Sequence, residues 1–484
     1  MKTKAPLTNK WVDSYSKLCF TVIVLFTIYC VFMQPFIGLS NNGDFQRFSL
    51  KFGVDFPFNV WDLSDTEHRN MAMFQRVFNG YIVVDAWNTG YFTTYELIGW
   101  ISRAVCAVLS KTGLYDIRYI GGVSVLFALV STYSIFITIK KYNIVNRIFI
   151  IATLLILLTD PFYIQYYNSF FTEQSFFCYG LMFVAAYLRH CQSHSKFSLF
   201  VEVTALVLLV FSKTQNFVVI IPGFATVILQ QYFVLGKKAK RKIIAVLILF
   251  VLECSIFTVI KAYPVDARIH DPKVVTYNTV MGRLLKVSDY PSEHLIAMGF
   301  DSKQIDKIKG NIGNVAFVNT FVPDNPEIYK KLSSIHTEFS MFVREPSLVF
   351  KAMKDMQDSL YKDVDFLANF QPAELAHKRT SLLSFHNMIL GKILPRNYVC
   401  LFVVMLVAFV FSMLRAFIEK DPRQLIISIL SSSVILMYAV AAVGDGWDNV
   451  KHLYVVNLLS AVIYGYLISL YLETVIIAVK HWHS

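Results

Sequence analysis

The chain has 484 residues, of which 55% are hydrophobic, 15% are aromatic and 16% are charged. Ordinary globular proteins carry about 25% charged residues, so this composition excludes a soluble protein. The formal net charge of +12 is carried by clusters in every second short loop, such as Lys237 to Lys242. That alternation is typical of the cytoplasmic loops of a membrane protein and argues against nucleic acid as a partner.

Apolar stretches long enough to cross about 30 Å of hydrocarbon recur along the chain. In order, they cover approximately residues 17–37, 116–139, 146–160, 173–189, 197–212, 216–235, 243–262, 398–415, 423–443 and 453–474. The sequence therefore predicts an all-α polytopic membrane protein with about ten transmembrane helices. The positions of the basic loops place both termini in the cytoplasm.

Three parts of the chain are expected from this topology. Residues 1–262 form an N-terminal transmembrane module with a first outer loop at 38–115, residues 263–397 form a mostly helical outer domain, and residues 398–484 form the last transmembrane helices. A loop as long as 263–397 is too long to be a bare connection. Two further apolar segments, Tyr91 to Ser110 and Leu382 to Leu394, are predicted to be amphipathic helices that lie at the outer interface.

The first candidate site follows the first span, where Asp44 and Arg47 come directly after the Asn41-Asn42-Gly43 turn. Charge next to hydrocarbon is costly, so charged residues at the membrane edge are candidates for function. A solvated helix cap with an interfacial arginine is the other interpretation of these two residues.

The outer loop from Asp160 to Glu173 is the second candidate site, because two acids flank a run that includes Tyr166, Tyr167 and Asn168. Aromatic faces combined with hydroxyl and amide groups suit a sugar. An aromatic belt at the interface would also explain the tyrosines, although not Glu173 at the start of the next span.

Two further outer connections carry cations, which runs against the usual distribution of positive charge. Lys213 and Gln215 lie in one tight turn, and His452 lies just before the last span. Lys213 and His452 suit an anionic ligand such as a phosphate. Glu253, in the middle of the seventh span, is interpreted as a hydrogen-bonded residue of the helix bundle rather than a transport site.

The chain contains no Walker A loop, GxGxxG, HExxH or GxSxG motif. With an acidic residue after the first span (Asp44), an acidic outer loop (Asp160 to Glu173) and a large late outer region, it resembles the GT-C superfamily of integral-membrane glycosyltransferases. The similarity is greatest to bacterial enzymes that add hexoses to surface polysaccharides. The family often has two adjacent acids where this chain has Gly43-Asp44. A bound divalent cation (Mg or Mn) is therefore left open.

This resemblance implies transfer of a glucose-like hexose from a polyprenyl-phosphate donor to a glycan acceptor such as O-antigen. The location implied is the bacterial cytoplasmic (inner) membrane, with the active site facing outward among membrane lipids. Asp44 would be the general base and Glu173 a second catalytic acid residue, while Arg47, Lys213 and His452 would face the leaving phosphate. Asp160, Tyr166, Tyr167, Asn168 and Gln215 would contact the substrate.

Three alternatives remain open at this point. A surface-polysaccharide polymerase would also be polytopic and use lipid-linked substrates, but it would be expected to rely on arginine-rich outer loops. A flippase or transporter should show broken helices and several ionisable residues near the midplane. A structural scaffold would explain the topology but not the acidic residues at the outer rim.

Overall fold

The structure, a computed structural model, describes residues 10–33, 36–39, 45–55, 76–80, 93–262, 272–313, 325–362, 367–370, 384–444, 446 and 449–482. Asp44 and the side chains of Arg47 and Glu253 lie outside this described part.

The described residues are mostly helical. The α-helices are α1 Lys10–Phe32, α2 Phe45–Ser49, α3 Tyr95–Leu109, α4 Arg118–Thr138, α5 Ile144–Thr159, α6 Pro161–Ile164, α7 Glu173–Ser193, α8 Lys196–Val210, α9 Ile220–Leu235, α10 Lys240–Ala262, α11 Pro272–Thr279, α12 Leu285–Val287, α13 Pro291–Ala297, α14 Ser302–Lys309, α15 Pro326–Leu332, α16 Ile335–Arg344, α17 Leu348–Met356, α18 Gly391–Ile393, α19 Tyr398–Glu419, α20 Leu425–Gly444, α21 Asn449–His452 and α22 Tyr454–Trp482.

Each of the ten predicted spans overlaps a helix, although the first helix ends at Phe32, before the predicted end of its span at residue 37. The class of polytopic membrane protein is confirmed, and the number of ten crossings stays a prediction. Among the described residues, six helical segments are long and apolar enough to cross a membrane: Lys10–Phe32, Arg118–Lys141, Thr214–Val234, Tyr398–Glu419, Pro422–Gly444 and Tyr454–Ile476. Ile144–Thr159 and Ile243–Ile256 are apolar but shorter. Helices α7 and α8 correspond to the remaining two predicted spans. Each carries a buried glutamate, which is Glu173 in α7 and Glu202 in α8.

Helix α7 lies inside the bundle, packed against α4 and α8. Most of its side chains are buried, including polar ones such as Gln174, Ser175 and His190. Neighbouring helices supply hydrogen-bond partners for two of these groups: Ser124 donates to Gln174 at 3.0 Å, and Ser198 Oγ lies 2.6 Å from His190 Nδ1. A helix that is shielded from lipid can carry polar residues at a cost that a lipid-facing helix would not tolerate.

Two small antiparallel sheets make the all-α prediction wrong in detail. Strand β1 (Phe36–Leu39) pairs with β5 (Leu367–Phe370), and β3 (Val77–Gly80) lies between β2 (Val54–Asp55) and β4 (Leu114–Asp116). Strands of two to four residues are too short to show an alternating pattern in the sequence. The β1–β5 pair connects the end of the first span to the segment that precedes the last transmembrane helices.

Residues 272–313 and 325–362 form a group of short helices, and Glu345 holds several of them together. Its carboxylate accepts hydrogen bonds from Lys351 Nζ at 2.5 Å, Ser288 Oγ at 2.6 Å, His294 Nε2 at 3.0 Å and the Asp289 N–H at 3.3 Å. Burial disfavours the ionised form, but these hydrogen bonds outweigh it and lower the pKa of Glu345 from 4.5 to about 2.

Helix α3 agrees with the predicted interfacial helix over Tyr91 to Ser110. Leu97, Trp100 and Val108 are exposed along the helix, while Glu96 in its first turn is buried. Glu96 pairs there with Lys51 Nζ at 2.9 Å. A helix with a broad exposed apolar face suits the boundary between membrane and water. The second predicted segment, Leu382 to Leu394, is described from residue 384 and is helical over most of that part.

Candidate functional site

The connections that follow α5, α8 and α20 meet at the end of the bundle where α7 begins, which we call the Glu173 end. The connections that follow α4, α7, α9 and α19 lie at the opposite end. Contacts such as Tyr187 Oη to the Pro422 carbonyl at 2.6 Å and Gln192 Nε2 to the Thr138 carbonyl at 2.7 Å show this second grouping. The sequence-predicted site residues that are described therefore lie at one end of the protein.

Asp160 anchors two segments of the Glu173 end. It caps the Pro161–Ile164 turn by accepting the Phe162 N–H at 2.9 Å, which is the expected arrangement for an acid followed by proline at a helix start. Its carboxylate also accepts the Ser384 hydroxyl at 2.7 Å and the His386 N–H at 2.7 Å. Both carboxylate oxygens are thus engaged by the protein.

The three other predicted substrate contacts in this loop are fully buried. Tyr166 packs on Tyr454 with ring centroids 4.0 Å apart, and Tyr167 stacks on Phe177 at 6.0 Å. Asn168 Nδ2 donates to the carbonyl of Val31 at 3.1 Å and to that of Ile37 at 2.9 Å. These side chains pack inside the protein, and their contact with a substrate stays a prediction.

Helix α4 approaches Asn168 closely at Gly121. A Cβ atom at this glycine would lie 2.2 Å from Asn168 Oδ1, which is too close for any other residue without movement. Gly121 therefore lets the loop pack tightly against α4, and the amide of Asn168 then binds the end of α1.

The structure brings Glu173, Lys213, Gln215 and His452 together from three separate connections. Lys213 Nζ lies 2.6 Å from Glu173 Oε1 and 3.4 Å from His452 Nδ1. Gln215 Nε2 donates to the His452 carbonyl at 3.2 Å. The side chains of Glu173 and Lys213 are 3% and 14% exposed, so the pair is largely shielded from water. We call these four residues the Glu173 cluster.

Lys451 adds a second lysine beside the cluster. It is 5% exposed, and its Nζ lies 5.1 Å from the centroid of the Phe171 ring. Phe171 also packs edge-on against Phe45, with the ring centroids 5.0 Å apart. Phe45 directly follows Asp44 in the sequence. The sequence alone assigned no role to Lys451, although its position next to His452 was a usable signal.

Arg283 fixes the segment that carries Lys451 and His452. This fully buried arginine donates to the carbonyls of Ala441 at 2.9 Å and Ala442 at 2.5 Å, and to the side chain of Asn449 at the start of α21. Carbonyls at a helix C-terminus have no partner within the helix, so a guanidinium is a strong ligand for them. Sequence analysis did not single out Arg283, because its partners are distant in the chain.

The charges of the site suit an anion better than a metal ion. The one carboxylate of the cluster, Glu173, faces Lys213, with Lys451 and His452 nearby. Within the described ranges, no group of three His, Cys, Asp or Glu side chains could hold a metal. Hard divalent cations need several oxygen ligands, and the described residues of this cluster do not provide them.

The fold and this site define a polytopic membrane protein with a largely buried cluster of lysine, histidine and glutamate side chains at one end of its helix bundle. The chain belongs to the YfdI N-terminal transmembrane domain family, whose model matches residues 3–482. No curated protein matches the chain. No solved structure matches it either.

Proposed function

We propose that this protein is a membrane glycosyltransferase that moves a hexose from a polyprenyl-phosphate donor to a cell-surface glycan such as O-antigen. The reaction takes place at the Glu173 end, on the outer side of a bacterial cytoplasmic membrane, and the basic loops at the opposite end support this orientation.

The Glu173 cluster is the single observation that carries this proposal. A lysine, a second lysine and a histidine converge at the outer rim, although topology rules disfavour cations there. A phosphate at the end of a lipid would lie at this depth, and its negative charge would match Lys213, Lys451 and His452. Membrane anchoring alone does not require such a buried arrangement.

The reaction is a direct displacement at the anomeric carbon. The acceptor oxygen forms the new bond to that carbon as the bond to the phosphate oxygen breaks, and the polyprenyl phosphate leaves with the electron pair. Asp44 takes the proton of the acceptor hydroxyl, while Lys213, Lys451 and His452 stabilise the charge that develops on the phosphate. Glu173 orients Lys213 through the 2.6 Å ion pair. Displacement of this kind inverts the anomeric centre.

The packing of Phe45 supports a site shared by Asp44 and the Glu173 cluster. Its ring contacts Phe170 at 5.2 Å and Phe171 at 5.0 Å, and Phe171 lies two residues before Glu173. Phe45, which directly follows the proposed base Asp44, therefore packs against the Asp160–Glu173 loop.

Transport of a lipid-linked sugar is the second candidate, and a buried polar group in the other half of the bundle favours it. Glu202 and His190 are completely buried, and Gln231 Nε2 lies 2.9 Å from His190 Nε2. Ionisable residues within a bundle often mark a transport path. The sequence alone points only to Glu253 in this respect.

The test is product formation from lipid-linked sugar by the purified protein, with candidate polyprenyl-phosphate hexoses supplied one at a time. Asp44→Asn keeps the shape of the side chain but removes the base, so turnover should fall by about 10²–10⁴-fold while donor binding persists. Because asparagine caps helices about as well as aspartate, a structural cap predicts equal rates. Equal rates would remove Asp44 from the mechanism. Sugar translocation without a new glycosidic bond would instead identify a transporter.

A further inference from the structure

A cavity of about 440 Å³ lies inside the helix bundle, between α5, α7, α20 and α22. Ligand pockets in proteins commonly have volumes of about 300–1,000 Å³. Its walls are apolar along most of their length, with side chains such as Phe149, Leu154, Leu181 and Val462. Walls of this kind offer water no hydrogen bonds and favour hydrocarbon as the occupant.

The two ends of the cavity differ in exposure. At the Glu173 end, the lining residues Leu157, Phe177 and Leu458 are at most 3% exposed. At the opposite end, the lining residues Lys141 and Asn143 are exposed. A ligand therefore enters from the opposite end. A donor with its phosphate in the Glu173 cluster could not place its tail here.

Charges of both signs surround the open end. Arg423 Nε lies 2.6 Å from Asp421 Oδ1, and Arg415 contacts Glu419 at 2.7 Å and Glu473 at 3.5 Å. Lys141, Arg415 and Arg423 line the mouth together with Glu419 and Asp421. Glu473 pairs with Arg415 next to this lining, so the three cations and three carboxylates of the mouth and its ion-pair partner sum to a net charge of zero. A purely anionic headgroup would meet as many carboxylates as cations, whereas a headgroup with both charges can satisfy both sets.

We propose that this cavity binds one acyl chain of a zwitterionic glycerophospholipid from the membrane leaflet opposite the Glu173 end. The lipid phosphate lies near Arg423 and Lys141, and the ammonium group lies near Glu419 and Asp421. The proposed glycosyl transfer is not required for this binding. A lipid in this position joins four helices whose apolar side chains line the cavity.

Gly180 provides a way to fill the cavity. It lines the wall, and a Cβ atom placed there meets only Leu209 Cδ1, at 3.9 Å. Gly180→Leu thus projects its side chain into the cavity without a backbone clash. Gly444→Leu is the matched control, since its Cβ would meet only Val440 Cγ1 at 3.9 Å and Gly444 does not line the cavity.

Native mass spectrometry of the detergent-purified full chain can measure lipid retention. Palmitoyl-oleoyl phosphatidylethanolamine, the matching phosphatidylglycerol and a polyprenyl phosphate are each added separately. Each methylene that leucine displaces weakens binding by about fourfold, so retention of phosphatidylethanolamine by Gly180→Leu should fall by about tenfold or more. Gly444→Leu should retain lipid like the wild type. Equal retention by Gly180→Leu, or wild-type preference for polyprenyl phosphate, would overturn the proposal.

The headgroup assignment has its own test at an exposed residue. The side chain of Glu419 is 42% exposed, so Glu419→Gln should leave folding intact even if Gly180→Leu does not fold. It gives the mouth a net charge of +1 and should shift preference from phosphatidylethanolamine toward phosphatidylglycerol by several-fold. Lys196→Gln, an exposed cation at the same end outside the cavity, should cause no shift. An unchanged preference in Glu419→Gln would refute the charge-balanced mouth.

Discussion

Lys213→Met separates a ligand-binding role of the Glu173 cluster from a purely structural one. The substitution keeps an unbranched side chain of similar length but removes the ammonium group that lies 2.6 Å from Glu173. Turnover and stability should both change, and the two changes have different physical origins.

The loss of stability follows from burial of the pair. Removing one partner of a buried ion pair costs about 3–5 kcal/mol, because the other charge is left uncompensated. Here Lys451 and His452 remain close to Glu173 and offset part of that cost. We therefore expect a destabilisation near the lower end of this range, about 3 kcal/mol.

The loss of turnover follows from the proposed contact with the donor phosphate. A hydrogen bond to a charged group is worth about 1.5–3 kcal/mol, which corresponds to roughly a 10- to 150-fold change. The value of kcat/KM per folded molecule should fall by that factor in Lys213→Met. Lys213→Arg keeps the positive charge and should recover part of the activity.

The Lys51–Glu96 pair is the matched control. Its partners are 2.9 Å apart, and their side chains are 3% and 10% exposed, which closely resembles the burial of the Lys213–Glu173 pair. Lys51→Met should lower thermal stability by a similar amount but leave kcat/KM per folded molecule unchanged. Thermal unfolding and consumption of lipid-linked hexose are measured on the same preparations. If Lys213→Met loses stability but matches Lys51→Met in kcat/KM, the cluster is structural and the phosphate site is refuted.

Reporter fusions near Asp324 should report the outer side and fusions after Ser484 the cytoplasm; a cytoplasmic signal near Asp324 would contradict the proposed sidedness. The pKa of Glu345 is about 2 when folded, below its ordinary 4.5, so its stabilising contribution is present above pH 4.5 and lost as the pH falls toward 2. Glu345→Gln should flatten the change in melting temperature across this window, and an unchanged slope would show that other groups cause it. Arg283→Lys keeps the charge but cannot reach two carbonyls and Asn449 at once, so Tm and kcat/KM should fall together. A fall in Tm alone would limit Arg283 to a structural role.

The membrane helices could be predicted because their signal is local. A stretch of about 20 apolar residues satisfies its backbone hydrogen bonds internally, whatever the rest of the chain does. The strands could not be predicted in this way. Phe36 pairs with Phe370, and neither segment has enough residues to show a pattern before its distant partner is known.

The residues of the candidate site that lie at the ends of predicted spans could be predicted from the topology. Glu173, Lys213, Gln215 and His452 were found because each lies at a predicted outer end of a span. The environment of the aromatic loop was not predictable, since an aromatic run suits a sugar site, an interfacial belt or a protein core equally well. Tyr454 and His386, which cover this loop, come from segments more than 200 residues later.

Asp160 was predicted to contact substrate, although its position directly before a proline also predicts a helix cap. An acid followed directly by proline is a common start of a helical turn, and Asp160 caps such a turn in the structure. The same carboxylate also binds Ser384 and the backbone of His386. Through these hydrogen bonds, Asp160 connects the Pro161–Ile164 turn to the segment that contains Ser384 and His386. It therefore positions the loop that leads to Glu173.

The Glu173 cluster contains cations at a place where two physical effects disfavour them. Cations at the outer end of a helix bundle are disfavoured by the topology of insertion, and burying them adds a cost of desolvation. Glu173 offsets one of the charges through its ion pair with Lys213, and Lys451 and His452 lie close to the same carboxylate. In the proposed function, the phosphate of the lipid-linked donor brings a further negative charge to these cations. The convergence of Lys213, Lys451 and His452 at this end is therefore the physical reason to look for a phosphate-bearing substrate there.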